Sequence, residues 1–281
     1  MPFFSVVIPT YERPDDLRRC LDSIKKSNQD PCPNYEIIIT DDSKSDLCKR
    51  VVEDEFPMAI WCKGKQIGPA GNRNAGTNRA TGQWIVFMDD DCIAEPGFLR
   101  AYAKAIQENP TVEIFEGRIF PDRRRRTWAE SCPCNENGGL YWTSNLCVSK
   151  SLFQRMKGFD ENFEVAYEDV DFAYRAKIKG VQFLFVREAQ ACHPWRSVRQ
   201  GGKNWKVKNY ESADFLRFLK KHNPKEPEFS LKRYFRNICR MITTDFICCI
   251  WEYRMKGLDI LFFQVFVSIK SMIDILIHKR K

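Results

Sequence analysis

Several common signposts are missing from this chain. Its twelve cysteines include no C-x-x-C pair, and only Cys132-Pro133-Cys134 and Cys248-Cys249 lie close together. That spacing speaks against a zinc frame and a disulfide scaffold, leaving the cysteines as small core residues of a reduced, cytoplasmic protein. Met1 to Pro9 carries no basic leader and no cleavage site, so no secretory signal is expected there. A membrane-crossing helix needs about 20 mostly apolar residues with few or no charges. The apolar stretches 235–251 and 258–277 are interrupted, by Arg240 and Asp245 in one and by Asp259, Lys270 and Asp274 in the other. No basic helix interleaved with aromatics is present, which puts nucleic acid last among partners.

What is present suits a folded α/β protein. A chain of 281 residues can hold one generous domain, alone or with an appendage. Its 43% hydrophobic and 13% aromatic content is ample for a sizeable core. The net charge of +8 calls for anionic partners such as nucleotide phosphates or anionic lipid headgroups. Short apolar strands alternate with amphipathic stretches, the pattern of βαβ units and a mostly parallel sheet. Strands are expected at 3–8, 35–40, 58–62, 83–88, 112–119, near 140–148 and at 181–186. Helices are expected at 14–26, 70–80, 98–107 and 169–179; in the first, Leu17, Cys20, Leu21 and Ile24 share one face.

Negative charge gathers at the ends of these strands. Asp89-Asp90-Asp91 follows the apolar run from Gln83 to Met88, and Asp41-Asp42 follows 35–40. Buried charge is costly unless neutralised, and a divalent cation is a common neutraliser. Ligands of open α/β sheets bind just outside the carboxyl ends of the strands, so the acidic cluster reads as a metal-assisted site. A uracil ring needs an apolar wall and an acceptor for its N–H, which Pro9, Tyr11 and a carboxylate after the second strand can supply. Asp41-Asp42-Ser43 also reads as a turn or helix cap. Arg73 stands among Gly71, Ala75 and Gly76, where small neighbours admit a ligand and a guanidinium suits a diphosphate; a solvated helix arginine is the plainer reading.

Taken in order, five elements form a set: Ser5 through Arg13, Asp41-Asp42, Gly71-Asn72-Arg73-Asn74-Ala75-Gly76, Asp89 to Asp91, and Gly158-Phe159-Asp160-Glu161 followed by Tyr167-Glu168-Asp169-Val170-Asp171-Phe172. In this set the chain resembles the family 2 glycosyltransferases of the GT-A fold, over residues 3–200. The resemblance implies a Rossmann-like, mostly parallel sheet and an inverting, metal-dependent transfer of a hexose or N-acetylhexosamine. The donor would be a nucleotide-sugar, a UDP-sugar by preference. The acceptor would be a sugar hydroxyl of a glycan or lipid-linked oligosaccharide, as in surface polysaccharide biosynthesis. Pro9, Tyr11, Glu12, Asp42 (preferred over Asp41) and Arg73 would bind the nucleotide. Asp91 would bind Mn²⁺ or Mg²⁺, Asp89 or Asp90 would face the ribose or the metal shell, and His193 would be a further ligand.

An inverting transfer also needs a carboxylate to take the acceptor proton. Residue-by-residue carry-over makes Asp169 that base, with Glu168 bonding the acceptor or sugar and Asp171 orienting or capping the helix. All three acids equally suit a helix N-terminus through the macrodipole. Trp142 is either an acceptor-side stacking surface or a core aromatic. Trp195, Arg196, Arg199 and Gly201-Gly202-Lys203 read as a lid over the diphosphate.

The expected organisation is a catalytic domain at 1–205, a helix or linker at 206–230 and an amphipathic helical tail at 231–281. In the tail Gln264, Ser268 and Ser271 form one narrow polar stripe, and His278-Lys279-Arg280-Lys281 ends it. Either the tail lies in the cytosolic face of a membrane, or it packs on the domain or on a second subunit. Arg123 to Arg126 are either a solvated loop or an attractor for a lipid-diphosphate or polyanionic acceptor. Two other functions compete: an inert glycan-binding scaffold, and a sugar-nucleotide nucleotidyltransferase. The latter wants a Gly-rich basic loop after the first strand, where Pro9-Thr10-Tyr11-Glu12-Arg13 stands.

Overall fold

Side chains along a strand alternate between the faces of a sheet, and here both faces are covered. In β1 (Phe4–Thr10) Phe4, Val6 and Ile8 enter one core cluster, whereas Val7 enters a second. The computed structural model describes residues 1–197, 204–222 and 231–279. After β1 come α1 (Pro14–Ile24), α2 (Lys26–Gln29), β2 (Tyr35–Asp41), and α3 (Leu47–Arg50), which continues as a π-helical turn over Val51–Glu55. Next are β3 (Ala59–Lys63), α4 (Pro69–Arg79), β4 (Trp84–Met88), β5 (Ile93–Ala94), α5 (Phe98–Glu108) and β6 (Ile114–Pro121). Then follow β7 (Glu130–Ser131), β8 (Asn145–Ser149), α6 (Lys150–Arg155), α7 (Glu168–Ile178) and β9 (Phe183–His193). The chain continues through β10 (Arg196–Ser197), α8 (Asn204–His222), α9 (Leu231–Arg240), a π-helical turn (Met241–Asp245), α10 (Phe246–Trp251) and α11 (Leu258–Lys279).

Eight strands form one sheet in the order β3-β2-β1-β4-β8-β6-β9-β5. The β3-β2-β1-β4 half is parallel throughout, and β8 joins it antiparallel to β4. Crossing α4 lies against β1 closely enough that a Cβ on Gly76 would stand 2.5 Å from Val7 Cγ1, so only glycine allows this approach. One cluster is built by α1, α5 and the 47–55 helix on Ile37, Ile39, Val86 and Met88. The other joins Ile38, Ile85 and Phe87 to Phe153, Phe159 and Phe172. This is the GT-A layout expected from the sequence.

Three details depart from the sequence expectations. The strand placed near 140–148 begins only at Asn145, because Gly138, Gly139 and Tyr141 have positive φ and keep 138–141 out of the ladder. The closing strand runs to His193 rather than ending at 186: an irregularity at Gly117/Arg118 shifts the pairing from Val186 to Gln190, and the ladder resumes. Helix α6 was not expected; Ser149 starts it by accepting the Leu152 N–H at 3.1 Å. All twelve cysteines are free thiols, and only Cys20, Cys48, Cys92, Cys147 and Cys249 are fully buried, so core filling accounts for some of them.

The chain divides into two units that are not consecutive in sequence. Met1–Asp122, Pro133–Glu164 and Glu168–Pro194 form the sheet unit. Arg123–Cys132, Val165–Tyr167 and the segment from Trp195 onward form the other. In the latter, β7 and β10 pair antiparallel, and Asp214 of α8 accepts the N–H groups of Val165 and Ala166. Helices α9 to α11 meet around Ile238, Met241, Cys249 and Leu261. No helix among the described residues is long and apolar enough to cross a membrane.

Candidate active site

At the carboxyl ends of β1, β2 and β4 the sheet unit gathers most of the residues singled out from the sequence. Asp90 is buried; its carboxylate accepts the Thr10 hydroxyl at 2.7 Å and the Arg13 guanidinium at 3.2 Å. Burial, with Asp91 and Asp89 alongside, lifts the Asp90 carboxyl to about 7 against the pull of Arg13 and Thr10. The same Arg13 nitrogen reaches Asp91 at 3.2 Å. Arg13 thus supplies the positive charge that two buried acids require, a role that sequence reasoning missed. A basic residue just beyond the end of the first strand was the available signal.

Asp91 meets His193 across the β4 and β9 ends, with Nε2 and the carboxylate 3.2 Å apart. On the other side of the ring, Nδ1 lies 2.9 Å from the Pro194 carbonyl, which can only accept, so Nδ1 carries a proton. A second bond of this kind fixes ring orientation and tautomer in metal-binding histidines. Burial pulls the imidazole down, but the hydrogen bond and charge of Asp91 outweigh it and hold its pKa above the ordinary histidine value. Ligand atoms of Asp91, His193 and Cys92 lie within 4.8 Å of one another, a cluster that could hold a metal ion. Burial raises the pKa of the Cys92 thiol, and carboxylate and imidazole are the ligand types in this cluster that suit Mn²⁺.

Asp89 faces another way. It is bonded at 2.7 Å to Arg73, whose other terminal nitrogen reaches Glu168 at 2.7 Å. This guanidinium on α4 therefore ties the β4 acids to the start of α7, and both Arg73 and Glu168 are buried. Burial and the neighbouring Asp169 push the Glu168 carboxyl up to about 8, opposed by Arg73. Asp169 is half-buried, and burial raises its pKa too, while N–H groups of Val170 and Thr143 bond its carboxylate. Glu168 Oε2 and Arg73 Nε are buried without a partner among the described residues. Unpaired buried polar atoms are unusual, and they point to a polar ligand. Asp171 is committed to the fold: it pairs with Arg175, which also holds the Met156 and Gly158 carbonyls.

The two aspartates at the carboxyl end of β2, Asp41 within the strand and Asp42 just beyond it, differ in just this way. Asp41 is consumed by the Ser43 N–H and the Trp61 indole. Asp42 accepts the Gln66 N–H at 2.9 Å, and burial raises its pKa. Tyr11 is half-exposed and Pro9 partly buried beside it. Glu12 turns to the 43–45 loop instead, its carboxylate accepting Lys44 and Ser45 N–H groups. The Gly158 turn is clipped to α4 by Asn74, which both accepts the Phe159 N–H and donates to the Phe159 carbonyl. Gly158 has φ +67°, and a Cβ there would stand 2.7 Å from Asn74 Oδ1.

Trp142 is half-buried just before β8. Beneath its loop lies a residue the sequence reading passed over. Glu116, buried in β6, accepts the Asn135 amide at 2.6 Å and the N–H groups of Gly139 and Leu140 at 2.5 and 2.9 Å, as well as that of Tyr141. An acid inside the apolar run Ile114 to Phe120 was the clue. The four arginines are not one solvated loop. Arg123 pairs with Glu130, and Arg125 stacks on Trp128 at 4.2 Å and bonds three carbonyls; Arg124 and Arg126 are exposed. Of the proposed lid, Trp195 bonds the Arg123 carbonyl and Arg196 pairs in β10, while Arg199 and Gly201-Gly202-Lys203 fall outside the described residues.

A sheet covered on both faces, with D-x-D after β4 and a Glu-Asp pair opening α7, defines the class: a glycosyltransferase of GT-A architecture. The family model described as "Glycosyl transferase family 2" matches residues 5–176, and the chain belongs to that family. It is similar to glycosyltransferase AglE of Haloferax volcanii, 26% identical over 70% of this chain and 68% of that protein. A "GalNAc(5)-diNAcBac-PP-undecaprenol beta-1,3-glucosyltransferase" of Campylobacter jejuni is 39% identical over 32% of this chain and 30% of its own length. Among solved structures, S. aureus TarS 1-349 in complex with UDP aligns with TM-score 0.55 and 20% identity, over 76% of this chain and 65% of that one. Mannosyltransferase PcManGT of Pyrobaculum calidifontis, in complex with GDP-Man and Mn²⁺, aligns with TM-score 0.61 and 16% identity, over 98% and 86%. At these identities the structural matches speak for the fold.

Proposed function

We propose that this transferase uses a UDP-sugar and a divalent metal, and inverts the anomeric centre as it glycosylates a sugar hydroxyl of a glycan or lipid-linked oligosaccharide. The observation that carries the reading is the Asp89–Arg73–Glu168 chain, which holds the β4 acids and the α7 acids in one hydrogen-bonded frame. Asp169, next to Glu168, takes the acceptor proton. The acceptor oxygen forms its bond to the anomeric carbon as the bond to the nucleotide diphosphate breaks, and the diphosphate leaves with the electron pair. The raised pKa of Asp169 suits a base, since proton transfer improves as the base and the working pH approach each other. Glu168, lifted to about 8, offers a hydroxyl donor or acceptor to the sugar. Asp42 would accept the uracil N–H, with Tyr11 and Pro9 as its apolar wall.

Asp91 and His193 would hold Mn²⁺ or Mg²⁺, which supplies Lewis-acid stabilisation of the leaving diphosphate when bound. The lipid-linked acceptor is favoured by the apolar tail and by the undecaprenol-linked acceptor of the Campylobacter relative. Peripheral contact of the tail with the cytosolic membrane face belongs to the same reading. The test is calorimetric binding of UDP, GDP, dTDP and CMP, each with Mn²⁺ and with chelator. Metal-dependent binding of UDP alone is expected. Preference for GDP would overturn the uracil assignment, and no binding by folded protein would favour an inert scaffold.

A further inference from the structure

Strand β9 reaches His193 only through a break in its ladder. It pairs in step with β6 from Ile114 and Phe183 to Gly117 and Val186. The next pair is Arg118 with Gln190, so Arg187, Glu188 and Ala189 have no counterpart on β6. From there the strands run in step again to Pro121 and His193. Arg187 and Glu188 are exposed, whereas Ala189 is buried. Backbone groups at such an interruption lose their ladder partners and need others when buried.

One side chain meets that need on both strands. Asn145, fully buried at the start of β8, donates from Nδ2 to the Arg118 carbonyl of β6 and the Ala189 carbonyl of β9, each at 2.9 Å. Its Oδ1 accepts the Tyr102 hydroxyl of α5 at 2.6 Å, and the Gly117 N–H bonds the Tyr102 oxygen. Carbonyls only accept, so the amide is held in one orientation. A Cβ on Gly117 would stand 2.3 Å from Asn145 Nδ2, so glycine leaves the opening that the amide fills. Beyond the break lies the metal side of the site. There β9 also pairs with β5, Cys192 with Ile93 and Ala191 with Ala94, and His193 stands beside Asp91. A slip of one residue turns every side chain of a strand to the opposite face, which would carry the imidazole away from Asp91. Two pairs with β5 are a short hold; the longer ladder with β6 restarts at the residues Asn145 bonds.

We propose that Asn145 is a positioning residue of the transferase, its amide fixing where the β6–β9 ladder restarts and thereby setting His193 against Asp91; this rests on the reading of Asp91 and His193 as metal ligands. The test uses full-length Asn145→Asp, which keeps the size and the acceptor for Tyr102 but turns an oxygen towards two carbonyls. Hydrogen exchange read by mass spectrometry should show protection falling in 118–121 and 190–193 while 114–117 and 183–186 hold. With UDP present, Mn²⁺ affinity read by paramagnetic resonance of the free ion should fall about 10–100-fold, the range for groups that orient metal-binding histidines. Metal-free UDP binding should hold.

If Asn145→Asp does not fold, Tyr102→Phe removes only the hydroxyl and should weaken Mn²⁺ binding about 2–10-fold, the worth of one neutral hydrogen bond. Leu146→Ala is the control for plain loss of stability, because Leu146 is buried in the core cluster on the other face of the sheet. It should lower the melting temperature and leave Mn²⁺ affinity unchanged. Protection lost evenly along β9, unchanged Mn²⁺ affinity in the folded variants, or an equal fall in Leu146→Ala would overturn the proposal. Wild-type protein that bound UDP but no Mn²⁺ would overturn the metal reading instead, and the exchange pattern would still decide whether Asn145 holds the register.

Discussion

Replacing Glu116 by glutamine removes one oxygen and one charge from a buried carboxylate that gathers four N–H donors from residues 135–141. The amide can still present an oxygen to Asn135, Leu140 and Tyr141, but its NH₂ then faces the Gly139 N–H, donor against donor. A buried donor left unsatisfied costs about 1–3 kcal/mol, and the remaining bonds lose their charge assistance, so we expect about 2–4 kcal/mol in all. For a protein of this size each kcal/mol lowers Tm by about 2–4 °C, which gives a fall of about 5–15 °C by scanning calorimetry. The effect should reach the chemistry as well, because the loop leads into Thr143, whose N–H bonds Asp169. Turnover should therefore fall more than UDP affinity, and the acid limb of the rate profile should move upward as Asp169 loses a donor. Wild-type Tm together with an unmoved rate profile would refute this account of the loop.

Asp169→Asn should lower turnover by about 10²–10⁴-fold with UDP affinity nearly unchanged; weakened UDP binding with normal turnover would remove Asp169 from the base role. Because burial raises the Asp169 pKa above the ordinary 3.8, the base is protonated at higher pH than usual, and the rate should fall with pH along a limb displaced upward from that value. A limb at the ordinary aspartate position would count against the burial argument. His193→Ala should weaken Mn²⁺-dependent UDP binding about 10–100-fold while metal-free binding persists, read by calorimetry with and without chelator. Glu130, bonded by Arg123 and by Arg126 and Thr127 N–H groups, is lowered from 4.5 to about 2, so its stabilisation is complete above about 4.5 and is lost as pH falls towards 2. Glu130→Gln should lower melting temperature at pH 7 and abolish that part of the acid dependence; identical melting curves from pH 7 to pH 2 would contradict it.

Much of the site was legible because its signals are local. Strand-end acids, the D-x-D after an apolar run and the Glu-Asp pair at a helix start each depend on neighbours in sequence, and burial in a parallel strand shows as a continuous apolar run. The faces themselves came from the structure, which places Val7 in one core cluster and Val6 and Ile8 in the other. What escaped was the choice of partner at long range. Arg13 reaches Asp90 and Asp91 across 77 and 78 positions, and Arg73 reaches Glu168 across 95. Those pairings follow from the order in which strands assemble, which no window of sequence contains.

Chain order misled in other places. His193 belongs to β9 because the pairing with β6 is interrupted at Gly117 and then resumes, a matter of register rather than of composition. Arg125 looked like one of four solvated arginines, and its stacking on Trp128 shows only once 123–132 joins the C-terminal helices. Glu116 was hidden because an acid in a strand is meaningful only when the loop it satisfies is known. By itself, then, the sequence determined the layers, the strand-end acids and the family, all of which rest on side-chain type and short spacing. Tertiary structure alone decided which charges neutralise one another, since burial makes that pairing obligatory and topology selects the partner.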